Sequence, residues 1–289
     1  MNDHGASIQR VAIVVRPGST EILDEGKTIQ EWLQIRGVTS LLTTSDDRLL
    51  LEGISTGKFE LLIALGGDGT MLRAGHLAAP QGLPVLGINL GRFGFLMQLS
   101  RKDWQETLPR LLAGEYKIEN GMMLKAEVRR GETLLGSYQV INEVVVARGQ
   151  VVRPIRIHAA VDGYPLAGYV ADGLIASTPT GSTAYALAVG GPIMPPELRN
   201  ILILPVAPHM SMDRAVILPE GASVEITVDS DHEAVMSVDG HEPVLISPLD
   251  RVLVTASDFM VKFIVFQDPG YFYRNLSNYM EQNPSIGDL

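Results

Sequence analysis

The chain has 289 residues, 46% of them hydrophobic and 6% aromatic, with a formal net charge of −10. That length suits one large domain or two ordinary ones, with a core built mainly of Leu, Val, Ile and Ala. The acidic balance excludes the electrostatic footprint of a nucleic-acid binder, and the lack of cysteine excludes disulfides and thiolate metal sites. No run of 18 apolar residues occurs, and the opening MNDHGASIQR carries no apolar leader core. The sequence therefore reads as soluble and cytoplasmic, with no membrane partner.

The first part alternates strands and helices. Val11 to Val15 reads as a short buried strand ending at Pro17-Gly18. Ile22, Leu23, Ile29, Trp32 and Leu33 fall at helical spacing between Glu21 and Arg36. Phe59 to Leu65 and Pro84 to Asn89 are further strands, and Met71 to Leu77 opens a helix. Ser100 to Asp103 resembles a capping box ahead of Trp104, Leu108, Leu111 and Leu112. Such alternation predicts a doubly wound parallel sheet. Near Ile118 the period changes to two. Met122, Leu124, Ala126 and Val128 alternate with Met123, Lys125, Glu127 and Arg129. Ile155 to Val161 continues the pattern up to the hairpin signal Asp162-Gly163, and Val224 to Val228 and Val252 to Val265 extend it. Tyr271 to Gln282 reads as a short amphipathic helix. The expected organisation is an N-terminal doubly wound α/β domain over residues 1–118 plus 271–289 and a β-rich domain over 119–270. The C-terminal helix returns to the first domain.

Four segments carry candidate chemistry. The run Gly66-Gly67-Asp68-Gly69-Thr70 lies at a strand-to-helix switch. Its glycines permit positive φ and close ligand approach, and its amides at a helix start form an anion cradle. A carboxylate inside that cradle repels an anion unless it holds a metal or takes a proton. The alternative is a tight turn in which Asp68 caps the next helix. The second segment, Gly87 to Leu96, is glycine-rich, with Asn89 and Arg92 as donors and Phe93 and Phe95 for stacking; taken alone it reads as an ordinary loop. Third, Asn142-Glu143 interrupts an apolar strand, and a buried Glu needs a partner; the alternative is an edge strand with one residue in solvent. Fourth, Asp172 to Tyr185 contains Ser177-Thr178-Pro179-Thr180-Gly181-Ser182-Thr183, too rich in short polar side chains and Pro to continue a strand and well suited to a polar ligand. The small residues Ala186, Ala188, Gly190 and Gly191 follow. His209 and His241 come after turn-like segments, among them Ser237-Val238-Asp239-Gly240, and no histidine pair has helix-spaced metal geometry. The P-loop, Rossmann, nucleophile-elbow and HExxH motifs are absent.

In order and spacing these four segments resemble bacterial NAD kinases over nearly the whole chain. The first motif is shared with diacylglycerol-type and sphingosine-type lipid kinases, and a close variant with phosphofructokinases. The Ser/Thr block with Asn142-Glu143 is more specific to NAD kinases. The resemblance implies phosphoryl transfer to the 2′-hydroxyl of the adenosine ribose of NAD, with Asp68 as proton acceptor. Gly66, Gly67, Gly69 and Thr70 would bind phosphate. Asp68, Gly69, Arg73, Phe95, Asn142, Glu143, Thr183, Ala184, Tyr185 and Ala188 would contact NAD, with Asp172 and Ala207 near its nicotinamide end and Arg153 and His241 as further contacts. No residue is assigned to a metal; a divalent cation, Mg²⁺, is the expected cofactor, and ATP or polyphosphate the donor. A cytoplasmic homodimer or homotetramer is implied, and the turn Ala207-Pro208-His209 shows no intrachain role in the sequence. Many members carry a basic residue two before the Asp of the fourth segment, where this chain has Val170. Two rival readings are a lipid kinase, which the polar Ser177 to Thr183 block argues against, and a non-catalytic NAD sensor, which would have no use for Asp68.

Overall fold

A computed structural model describes residues 8–91, 94–97, 99–209, 212–266, 270, 272, 273 and 276. The chain divides into two compact units, Met1–Asn120 with Val261–Leu289, and Gly121–Met260.

The first unit holds β1 (Arg10–Val15), α1 (Thr20–Ile35), β2 (Thr39–Thr44), α2 (Arg48–Ser55), β3 (Leu61–Gly66), α3 (Asp68–Ala78), β4 (Pro84–Asn89), β5 (Leu99–Ser100) and α4 (Trp104–Leu112). β2, β1, β3 and β4 lie side by side in parallel. β4 also pairs in parallel with residues 262 and 263 at its start and with β5 at its end. Val11 to Val15 and Leu61 to Leu65 are buried at every position because both sheet faces are covered. Alternate residues point to opposite faces. Ile13, Ile63 and Ile88 pack with Ile29 and Leu33 of α1 and Leu108 and Leu111 of α4. Ala12, Leu62 and Val85 pack on the other side with Leu50 of α2 and Met71 and Ala74 of α3. This is the doubly wound arrangement predicted from the alternation.

Caps explain where the helices begin. Ser19 Oγ accepts the Ile22 N–H at the start of α1, and Asp47 accepts the Leu49 and Leu50 N–H groups at the start of α2. The capping box read at Ser100 works in reverse. The helix starts after Asp103, whose carboxylate accepts both the N–H and the hydroxyl of Ser100 and makes no cap bond of its own.

The second unit carries most of β6 (Lys117–Arg130), then β7 (Thr133–Val140), β8 (Glu143–Arg148), β9 (Ile155–Val161), β10 (Tyr164–Ala171), β11 (Gly173–Ser177), the single turn α5 (Tyr185–Ala188), β12 (Asn200–Val206), β13 (Val216–Pro219), β14 (Val224–Asp229), β15 (Ala234–Val238), β16 (Val244–Ile246) and the first part of β17 (Asp250–Val265). The pairings of β8 to β16 with one another, of β14 with β17 and of β6 with β7 are antiparallel. One sheet runs β13-β12-β11-β8-β15-β16. In the other, β10, β9, β14 and β17 are neighbours, and β6 pairs with β7. Their inner faces share one core, with Val144, Val146, Leu174 and Met236 from the first sheet and Leu124, Ile157, Tyr169 and Val252 from the second. The Asp162-Gly163 hairpin has φ +52 and +81, as a tight two-residue turn needs.

Of the helix read over Tyr271 to Gln282, only Phe272, Tyr273 and Leu276 are described, and the rest of that reading lies outside the described residues, as do Arg92 and Phe93 of the glycine-rich loop. Among the described residues no helix is long and apolar enough to cross a membrane.

Candidate functional site

The GGDGT segment of the first unit sits where the buried strand β3 hands over to α3. Gly66 closes β3 with φ +151, and a Cβ there would lie 2.5 Å from Thr70 Oγ1, so this glycine is required by the protein itself. Gly67 and Gly69 differ. Neither has positive φ, and a Cβ on either would meet nothing within 4 Å. The expectation that all three glycines supply unusual backbone angles is met only at Gly66; the other two leave open space at the helix start. Thr70 is buried, its side chain turned under Gly66, while Gly69 and Arg73 are exposed on α3.

Asp68 is not a cap. Gly67 occupies the cap position, with no side-chain bond. The Asp68 carboxylate reaches across to the loop after β4, where Oδ2 accepts the Phe95 N–H at 3.0 Å and Oδ1 the Leu96 N–H at 3.2 Å. A Cβ at Gly94 would overlap Oδ1 and come within 2.6 Å of the carboxyl carbon, so a side chain there would displace the carboxylate or the loop. Burial pushes the Asp68 carboxyl above the ordinary Asp range, and the two amides, which favour the charged form, oppose it. The loop is anchored further by Asn89, whose Oδ1 accepts the Gly91 N–H at 2.9 Å, and by Leu90, whose N–H donates to Gly66 O. The glycine-rich loop is therefore more than a connection: its amides seat Asp68. The Phe95 ring lies 6.4 Å from that of Phe272.

In the second unit three separate segments converge. β7 ends at Val140 and β8 begins at Glu143, leaving Ile141 and Asn142 between two sheets. On its amide side this crossing is held by Asp239. Oδ2 accepts the Ile141 N–H at 2.8 Å, and Oδ1 accepts those of Asn142 and Glu143 at 2.8 and 3.0 Å. On its carbonyl side it is held by the Ser/Thr block. Thr178 Oγ1 donates to Ile141 O, and Ser177 Oγ and the Thr178 N–H donate to Asn142 O. A Cβ at Gly181 would overlap that same Asn142 carbonyl. The block itself turns from strand β11 into a short 3-10 helix, Thr180–Thr183, with Ser182 and Thr183 hydroxyls bonded back to Pro179 O and Thr180 O.

Asn142 and Glu143 are both buried, and β8 is an interior strand between β11 and β15, so the solvent-facing edge alternative is overturned. Glu143 Oε2 is buried with no hydrogen-bond partner among the described residues. Burial, reinforced by the Asp239 charge, pushes the Glu143 carboxyl up to about 8 against the pull of the Tyr185 N–H. Thr183 is buried, Ala184 half-buried, and Tyr185 and Ala188 just after them exposed, as is His241, two residues after Asp239.

The remaining predicted contacts lie at the other end of β11. Asp172 pairs with Arg148 Nε at 3.1 Å and donates its N–H to Val206 O, next to Ala207. The Arg153 N–H donates to Val151 O, which also accepts from Arg148. The register Glu143↔Ser177 and Ala147↔Gly173 separates the two groups by the length of that strand, roughly 14 Å at the usual rise. The structure thus gathers Asn142, Glu143, Thr183 and Ala184 at one end and Arg153, Asp172 and Ala207 at the other. The turn at Ala207 does have an intrachain role, since Ala207 takes φ +46 and the His209 N–H donates to Val170 O at 2.7 Å. Two residues that hold the candidate site in place receive no role from the sequence, Gly94 and Asp239. The Asp-Gly pair after Val235 to Val238 is a turn signal that marks Asp239; nothing local marks Gly94 as the seat of Asp68. Among the described residues no three His, Asp or Glu side chains converge to hold a metal.

Comparison with known proteins adds the family context. Residues 11–116 match the model of the ATP-NAD kinase N-terminal domain and residues 141–266 that of the ATP-NAD kinase C-terminal domain. The NAD kinase of Heliobacterium modesticaldum is 38% identical over 281 residues, covering 94% of this chain and 98% of its own. That of Moorella thermoacetica is 35% identical over 272 residues, covering 92% and 87%. Two crystal structures share the fold at 23% identity. Yeast NADH kinase complexed with NADH has a TM-score of 0.82 and coverage of 97% of this chain and 90% of that one. An NAD kinase from Archaeoglobus fulgidus in complex with ATP has a TM-score of 0.76, with 95% and 99%.

Proposed function

The chain belongs to the NAD kinase family, and we propose that it transfers the γ-phosphoryl group of ATP to the 2′-hydroxyl of the adenosine ribose of NAD, giving NADP, with Asp68 as proton acceptor. The ribose oxygen forms the new bond to phosphorus, the bond to the leaving oxygen of ADP breaks, and the hydroxyl proton passes to the Asp68 carboxylate. The observation that carries this reading is the seating of Asp68. A helix-start aspartate that merely capped would bond its own helix; this one is aimed away from it by two amides of a distant loop. A carboxylate has about four acceptor sites, so two amides leave room for a hydroxyl. Burial raises its basicity, which suits a general base.

Phosphoryl transfer is mostly positioning and charge neutralisation. Gly67 and Gly69 leave room at the helix start, where the first amides of a helix lack partners within it. They suit the donor phosphates, between Gly66 and Thr70. The described residues do not form a cage for a resident metal. A divalent cation such as Mg²⁺ would enter with the triphosphate and offset its charge. Phe95, Arg73 and, in the second unit, Asn142, Glu143, Thr183, Ala184, Tyr185, Ala188 and His241 are read as NAD contacts, with Arg153, Asp172 and Ala207 toward the nicotinamide. Polyphosphate as a second donor, a homodimer or homotetramer, and a cytoplasmic location rest on the family resemblance alone.

The Asp68→Asn variant tests the base. Asn keeps the shape but cannot take a proton at neutral pH. The expected loss is on the order of 10²-fold or more in kcat for NADP formation with ATP and Mg²⁺, roughly 3 kcal/mol of barrier. NAD affinity by calorimetry should change only a few-fold. Near-normal kcat would end the role of Asp68 as base.

A further inference from the structure

We propose that Asp239 is a positioning residue for NAD binding: by accepting the three consecutive amides of Ile141, Asn142 and Glu143, it sets the backbone from which the Asn142 and Glu143 side chains meet the ligand. The proposal rests on the reading of those two residues as NAD contacts.

The chain between β7 and β8 leaves one sheet and enters another, so the amides of residues 141–143 have no ladder partner at the crossing. Buried amides must be satisfied. One carboxylate satisfies all three, at 2.8 to 3.0 Å, and charge-assisted bonds of this kind are the strong ones. The grip is reciprocal: the Asp239 N–H donates to Glu143 O at 3.0 Å. The turn that presents Asp239 is itself fixed. Asp239 and Gly240 take φ +50 and +72, the His241 N–H donates to Val238 O, and Ser237 Oγ donates to His241 O at 2.8 Å. Positive φ at two successive residues is the signature of a type I′ turn, for which Asp-Gly is a preferred pair. Asp is thus the residue type that both adopts the turn and supplies the acceptor.

The carbonyl side is held separately by Ser177, Thr178 and the close approach of Gly181. These two grips hold the backbone of the crossing from both sides, and with it the points from which the side chains of Asn142 and Glu143 start. Glu143 Oε2 remains buried and unpartnered among the described residues, the state expected of a group aimed at something the chain itself does not provide. Removing the Asp239 carboxylate withdraws one grip while leaving the side chains of Asn142 and Glu143 intact, so its effect on the ligand is indirect.

Asp239→Asn and Asn142→Ala should be compared, with the double variant, in steady-state NADP formation. Asp239→Asn should raise KM for NAD about tenfold or more while leaving KM for ATP within about twofold, because it disturbs contacts with one substrate only. The double variant should be less than additive, because Asp239 acts partly through Asn142. An unchanged KM for NAD in a folded Asp239→Asn protein overturns the proposal, and so does full additivity. If Asn142→Ala also leaves KM for NAD unchanged, the underlying reading of Asn142 fails with it; if Asn142→Ala raises KM and Asp239→Asn does not, the proposal alone fails. Should Asp239→Asn not fold, Gly240→Ala strains the same turn and keeps the carboxylate; it must raise KM for NAD, and a normal KM there overturns the proposal.

Discussion

Asp68 and Glu143 are both acidic groups that burial drives toward the neutral form, and the two units hold them in opposite ways. Asp68 receives an amide on each carboxylate oxygen, from Phe95 and Leu96, and these resist the rise. Glu143 receives the Tyr185 amide, has a second carboxylate beside it in Asp239, and is pushed up to about 8. Desolvation acts on both; hydrogen bonds to the charged form and the sign of the neighbouring charge decide how far each moves. The two amides hold the first nearer its charged form. The second is pushed toward its neutral form, which carries an O–H that can donate.

The largest effect expected on that comparison comes from the seat of Asp68. Gly94→Ala places a methyl group where the carboxylate now lies, so either the loop or the carboxylate must move. A displacement of about 1 Å in a catalytic group can cost on the order of 10²-fold. Steady-state assays should show kcat for NADP formation falling by about that factor, with KM for NAD less affected; an unaltered kcat would mean the loop does not aim the base.

A smaller effect is expected from Glu143. A folded-state value near 8 against an ordinary 4.5 means the native chain keeps a proton that the unfolded chain releases between those values. The contribution of Glu143 to stability therefore declines as pH rises from about 5 to 8. Glu143→Gln removes that decline and should be more stable than the parent at pH 8.5, with little difference near pH 5. Urea melts at the two pH values measure it. Parallel curves for parent and variant would show that Glu143 is charged in the native state.

Much of the frame was legible in the sequence because it rests on local periodicity. The fully apolar Leu61 to Leu65, with glycines directly after it, reads as a strand covered on both faces, and the period-two runs from Met122 onward read as half-buried strands. β2 was not legible: Thr39 to Thr44 is a half-buried edge strand with no alternation. α2, at eight residues, is too short for a helical period to stand out. The site divides in the same way. Gly66 to Thr70, Asn142-Glu143 and Ser177 to Thr183 were found by composition at a structural switch. Their partners were not, because the contacts join Asp68 to residues 27 and 28 positions on, and residues 141–143 to Asp239 nearly 100 positions away. The choice between cap and base for Asp68, and between edge and interior for Glu143, needed those distant partners.

The most direct test of the account is the pH dependence of single-turnover NADP formation at saturating NAD, ATP and Mg²⁺, in the parent protein and in Asp68→Asn. The parent should lose activity on acidification along one limb, centred above the ordinary Asp range because burial raises the Asp68 carboxyl. Asp68→Asn should be slower by on the order of 10²-fold or more and lack that limb. The same limb in both proteins would contradict the assignment of Asp68 as the proton acceptor.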